Sequence, residues 1–218
     1  MNTKDTFNVL CEIIANNYIN SGWKYSKSNH WVTKKDKKFV YRIYFYTSWN
    51  NIRNENVSFY GEAAILPIKL KNKIYYISTQ NSHIPNGKLY WNIVDKKDLN
   101  SAFIEFTAWL EQYFLPLVKR CSEDLESFIK DVVKEGFCPE RGYITDISFI
   151  LNNGTKMLAE ESAQKHYDNL TIDEKIKFKR NYESLINGNG HVDSYGENYM
   201  LNYCNFKTII KNKIKIKL

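Results

Sequence analysis

Two long alternating runs between Phe39 and Leu70, FVYRIYFYTSWNN and VSFYGEAAILPIKL, constrain this chain more than any other feature. In the first, the odd positions are Phe39, Tyr41, Ile43, Phe45, Thr47 and Trp49, and the even ones include Arg42, Tyr44, Tyr46 and Ser48. Successive side chains of a strand point to opposite faces, so the run carries one apolar and one polar-aromatic face. The second run repeats this, with Val57, Phe59, Ala63 and Ile65 set against Ser58, Tyr60 and Glu62. Asn50 to Asn56, between them, has the composition of a surface turn. Two such strands predict an antiparallel hairpin at the centre of a half-buried sheet.

The flanking sequence supplies what that sheet needs. Phe7, Leu10, Cys11, Ile14 and Tyr18 lie at helical spacing and predict a helix from about Lys4 to Asn20, ended by Ser21-Gly22. Short strands are expected at Trp23–Tyr25, Trp31–Thr33, Ile74–Ile77 and Leu89–Ile93, giving about five to six in all. At Asp98 the character changes. Leu99, Ala102, Phe103, Phe106, Trp109 and Leu110 open a broad apolar helical stripe that reaches Pro116. Further helices are expected from Ser122, whose hydroxyl reads as a cap, to Gly136, and then over 145–151 and 155–169. Thr171-Ile-Asp-Glu174 reads as a capping box opening a helix through Ile176, Tyr182, Leu185 and Ile186, and a last helix carries Tyr199, Phe206 and Ile210. The closing KNKIKIKL alternates Lys with Ile or Leu, as an exposed edge strand or a frayed basic tail does. The expected architecture is a single α+β domain over 1–218. It comprises an N-terminal helix, an antiparallel sheet half (about 1–97), a helical half (about 98–212) packed on the sheet, and a basic tail (211–218).

Chemistry is harder to find. His30, His83, His166 and His191 fall in different elements without metal-ligand spacing, and no phosphate-binding loop or nucleophile elbow occurs. Cys11, Cys121, Cys138 and Cys204 are far apart and read as packing thiols of a reducing compartment rather than a disulfide or zinc framework. Glu160 and Glu161 diverge by about 100° on a helix and read as a solvated face. The sequence therefore predicts no catalytic residues, metal site or cofactor. Lacking a signal-like start or an apolar run of spanning length, it predicts a cytoplasmic protein. A formal net charge of +7 permits an acidic partner, but the Lys residues are scattered rather than clustered.

Gly22-Trp23-Lys24, the Trp31-containing hairpin, YFYTSWNN, the VSFYGEAAILP strand and FLPLVKRCSEDLESFIKD follow one another after an N-terminal helix. In this order they resemble the bacterial domain of unknown function 4304 family, over roughly Asp5 to Ile186, with no counterpart for Gly188 to Leu218. The resemblance implies a helix, an antiparallel sheet and a helical C-terminal part. It brings no catalytic residues, and for some relatives it implies a place in bacterial conflict or defence loci.

Above this background stands the even face of the hairpin: Arg42, Tyr44, Tyr46 and Ser48, with Tyr60 and Glu62 from the partner strand. Tyr offers contact area at low entropy cost together with a polar tip, so this set reads as a recognition surface. The competing expectation is a second helical layer that covers it. The functional expectation is a non-enzymatic protein-binding module, an immunity or regulatory protein. Its alternative is a single-stranded nucleic-acid-binding protein that stacks bases on Tyr44 and Tyr46 and grips phosphate with the basic tail.

Overall fold

Phe39 to Pro67 form the predicted hairpin. The computed structural model describes residues 3–68, 75–80, 86, 88–135, 146–187 and 203–218. Within them the chain has α+β architecture: a helix α1 (Thr3–Ile19), an antiparallel sheet, then helices. The strands are β1 (Lys24–Ser26), β2 (Trp31–Lys35), β3 (Phe39–Tyr46), β4 (Ser58–Pro67), β5 (Tyr75–Ser78) and β6 (Trp91–Asn92). They lie in the order β1-β2-β3-β4-β5, with β6 pairing the start of β4 at Ser58 and Phe59. Helices α2 (Lys96–Tyr113), α3 (Leu115–Glu123), α4 (Leu125–Glu135), α5 (Ile147–Asn153), α6 (Lys156–Asp168), α7 (Ile172–Ile186) and α8 (Tyr203–Lys211) follow. No helix among the described residues is long and apolar enough to cross a membrane.

These residues divide into two compact units, one running to Ser122 and one from Glu123 onward. The compositional shift at Asp98 thus falls inside the first unit, where α2 packs beside α1 and over β4 and β6. Burial on β3 alternates strictly: Phe39, Tyr41, Ile43 and Phe45 are sealed, and Val40, Arg42, Tyr44 and Tyr46 are half-buried. The sealed face meets Phe106 of α2, whose ring lies edge-on to Phe45 and Phe59 at 6.2 and 5.2 Å. Gly61 of β4 makes this approach possible, because a Cβ there would overlap the Phe106 ring. Phe103, part of the expected apolar stripe, is only half-buried.

The apolar face stops short of its expected length. β3 ends at Tyr46, the Thr47 hydroxyl donates to the Ser58 carbonyl (2.6 Å), and the Ser48 amide donates to Ser58 Oγ (2.8 Å). These side-chain bonds replace the ladder and turn the chain outward, leaving Trp49 92% exposed. At the other end, Asp36 organises the β2–β3 turn by accepting the amides of Lys38 and Phe39 (both 2.7 Å) and the Tyr41 hydroxyl (2.6 Å). The strand expected at Leu89–Ile93 contracts to Trp91–Asn92, with Leu89 and Tyr90 exposed. Gly22, at φ 84°, adopts the left-handed conformation that ends α1.

In the second unit the capping residue of α4 is Asp124, whose carboxylate accepts the Ser127 amide (3.2 Å). Ser122 lies inside α3 and donates to the Lys119 carbonyl. The capping box on α7 forms as expected, yet the buried side of that helix is Phe178 and Asn181. Ile172, Ile176 and Ile186 are exposed. Phe178 packs against Phe206 of α8 and Tyr167 of α6, at centroid distances of 5.0 and 5.3 Å. The tail is neither an edge strand nor frayed. Ile214 is buried, the Lys215 amide donates to Glu160 (3.2 Å), and the Gln164 side-chain amide brackets Lys217 by accepting its N–H (2.8 Å) and donating to its carbonyl (3.3 Å). Glu160 is thus a docking point on α6 rather than part of a solvated face. Residues 199–200 of the expected last helix lie outside the described residues.

Phe45→Ala is expected to cost about 3–5 kcal/mol of unfolding free energy through lost burial and the cavity it leaves. Gly61→Ala is expected to cost about 1–3 kcal/mol by driving a methyl group into Phe106. Denaturant titration of both variants measures these losses.

Candidate binding face

Strand register gathers most of the sequence-predicted site onto one surface. Tyr44 lies opposite Glu62 and Tyr46 opposite Tyr60 across β3 and β4, while Arg42 lies opposite Ala64. β2 adds Trp31 opposite Tyr44 and Thr33 opposite Arg42, and β5 adds Tyr76 opposite Ala64. Ser48 is the exception. It lies beyond the last ladder pair, where its Oγ accepts the Asn50 amide (3.0 Å), so it shapes the turn instead of extending the face.

The rings on this face engage one another. Tyr46 is near-parallel to Tyr44 and to Tyr60, at interplanar angles of 17° and 18° and centroid distances of 6.2 and 5.2 Å, within the range of offset stacking. Trp31 meets Tyr44 edge-to-face at 5.9 Å. The Arg42 guanidinium lies over the Trp31 ring, with Cζ 4.3 Å from its centroid. Glu62 sits within this array and accepts a hydrogen bond from the Tyr76 hydroxyl. Burial first and the Glu62 carboxylate second push the hydroxyls of Tyr46, Tyr60 and Tyr76 above the ordinary tyrosine range.

At the Tyr46 end the face runs into a cavity of about 480 Å³, lined by Lys4, Phe7, His30, Phe45, Tyr46 and Trp49 among others. His30 adopts φ 52° and packs edge-on to Phe7 at 5.0 Å. Its Nδ1 is buried without a hydrogen-bond partner. The cavity is of the size that admits a large side chain or a small ligand.

The second unit contains a cluster the sequence reading missed. Asp146 is fully buried before α5 and accepts hydrogen bonds from Ser162 Oγ (3.1 Å), Asn205 Nδ2 (3.2 Å) and His166 Nε2. These partners come from α6 and α8, separated from Asp146 by 16, 59 and 20 residues respectively. The one local trace was Ser162 and His166, four apart on one face of a weakly apolar helix. Despite its Ser–His–Asp composition the cluster is not arranged for nucleophilic attack. The buried serine donates to the carboxylate rather than to the imidazole, which leaves it unactivated. Its role is to tie α5, α6 and α8 together.

Cys11 and Cys121 are buried free thiols, and burial pushes Cys121 up to about 12, far from an activated nucleophile. Cys138, His83 and His191 lie outside the described residues, as does the Cys204 side chain. Among the described residues no three His, Cys, Asp or Glu side chains are grouped to hold a metal. Compared with protein-family models, curated proteins and solved structures, the chain matches none.

Asp146→Ala should destabilise the fold by about 3–5 kcal/mol, because the buried Ser162 and Asn205 and the half-buried His166 lose their shared acceptor; chemical denaturation checks this. The face tyrosines set the sign of an alkaline effect. Their folded pKa values lie above the unfolded value of about 10, so the folded state holds those protons more tightly. Their stabilisation is complete below about pH 10 and is lost as pH rises through the folded values. Ultraviolet titration of the native chain is expected to show a tyrosine fraction ionising later than in the unfolded chain.

Proposed function

We propose that this chain is a non-enzymatic protein-binding module that docks a partner on the β2–β3–β4 face. The observation carrying this reading is the self-engaged aromatic array with Arg42 and Glu62 set into it. Tyr, Trp and Arg over a rigid, sealed core are the residues that dominate protein interfaces. The resemblance to the bacterial domain family supports a regulatory or immunity role, with the partner encoded in a conflict or defence locus.

The same geometry weighs against single-stranded nucleic acid. Base stacking needs free ring faces, whereas Trp31 is occupied by Arg42 and the three tyrosines stack on one another. A carboxylate at the centre of the face also opposes a phosphate backbone.

Tyr46→Ala gives the test. Tyr46 is half-buried against two rings, so its removal should cost about 1–2 kcal/mol of stability, more than a free surface residue yet less than Phe45. Cells expressing the chain with its native neighbouring genes should yield one stoichiometric protein partner. The folded Tyr46→Ala variant should bind that partner at least about 30-fold more weakly, equivalent to about 2 kcal/mol. An unchanged affinity, or tight salt-sensitive binding of single strands instead, contradicts the reading.

A further inference from the structure

One corner of the aromatic face carries positive charge without a counter-charge. Register places Lys24, Thr33 and Arg42 in a row across β1, β2 and β3, and sets Lys35 opposite Val40 on the same face. Lys24 and Lys35 are exposed. Arg42 lies 4.3 Å above the Trp31 ring centroid and 5.7 Å from that of Tyr44, and its Nε is buried without a hydrogen-bond partner. Among the described residues no carboxylate pairs with any of these three cations. The acid of the face, Glu62, is engaged on the far side of β3, where it takes the Tyr76 hydroxyl.

A guanidinium held against an indole keeps one face dry and its planar fork of donors fixed in direction. A carboxylate matches that fork with two parallel hydrogen bonds. Because stacking holds the fork in place, less side-chain entropy is lost when an acid docks. Neighbouring strands lie about 4.8 Å apart, so Lys24 stands roughly 10 Å from Arg42 across the sheet. An extended segment covers that span in about three residues, within reach of two of its acidic side chains.

We propose that the Lys24–Lys35–Arg42 corner receives an acidic segment of the protein partner, with one carboxylate forked on Arg42 and its neighbours met by the two lysines. This rests on the protein-binding reading above and specifies the chemistry of the partner. A nucleic-acid phosphate offers the same charge, but Arg42 already takes one face of Trp31 and Tyr46 one face of Tyr44, which leaves less ring surface for its bases.

The test is a magnetic-resonance titration of the isotope-labelled full chain at low ionic strength, following the Trp31 indole N–H and the Arg42 Nε–H. The probes are an acetylated, amidated hexaglutamate peptide, the matching hexalysine peptide, inorganic phosphate and decathymidylate. Hexaglutamate should shift both resonances saturably and hexalysine neither. Read at Trp31, Arg42→Gln should weaken hexaglutamate binding at least about tenfold. Lys24→Gln and Lys35→Gln, at exposed positions that leave the core untouched, should each weaken it about two- to fivefold. The proposal is overturned if hexaglutamate leaves both resonances in place, if its binding survives all three substitutions, or if phosphate or decathymidylate binds more tightly. The natural partner separates the two readings. Loss on Tyr46→Ala with full retention on Arg42→Gln sinks this inference and leaves the protein-binding reading standing, whereas retention on both removes the latter.

Discussion

The contact between Phe106 and the bare backbone of Gly61 is the constraint on which the rest of the first unit depends. An aromatic ring seated directly on β4 brings α2 close enough for its apolar stripe to close over Phe45 and Phe59. Because strand side chains alternate, sealing one face of β3 and β4 forces Arg42, Tyr44, Tyr46, Tyr60 and Glu62 onto the other. This polar-aromatic face is therefore a by-product of core geometry, held rigid because its strands are anchored from beneath. A face built in this way keeps its side chains in place before a partner arrives, which lowers the entropy lost on binding.

That face also resolves an electrostatic problem internally. Glu62 among tyrosines would be costly if left without donors, and the Tyr76 hydroxyl supplies one. Arg42 takes a different route and lies over Trp31 without an acid. The asymmetry between a satisfied carboxylate and an unpaired guanidinium gives the surface its direction. Its β1–β3 side is short of negative charge, and its β4–β5 side is not. The second unit handles its buried charge by convergence, since Asp146 draws donors from α6 and α8.

Local chemistry was legible in the sequence and distant convergence was not. The alternation from Phe39 to Phe45 gave the sealed face directly, and Thr171 with Glu174 gave a helix start, because both signals lie within a few residues. Trp49 misled because it continues the odd parity, while the side chains that end the ladder, Thr47 and Ser48, act through Ser58 on the partner strand. Ser122 looked like a cap because it precedes two acids, yet Asp124 does the capping once α3 has run through the serine. The tail alternates like a strand, but its backbone partners are the side chains of Glu160 and Gln164, a pairing that no periodicity records. The Asp146 cluster left only the four-residue spacing of Ser162 and His166, and the bare Arg42 Nε left none, because both depend on what surrounds them in space.

One face of the sheet is sealed and the other is half-exposed. Hydroxyl-radical footprinting of the native chain, read residue by residue at tyrosine, measures this most directly. Tyr44, Tyr46, Tyr60 and Tyr76 are expected to oxidise markedly faster than Tyr41 and Tyr75, which share the same strands but point into the core. Equal protection of both sets would mean that the sheet is covered on both sides, leaving no face for a partner to reach.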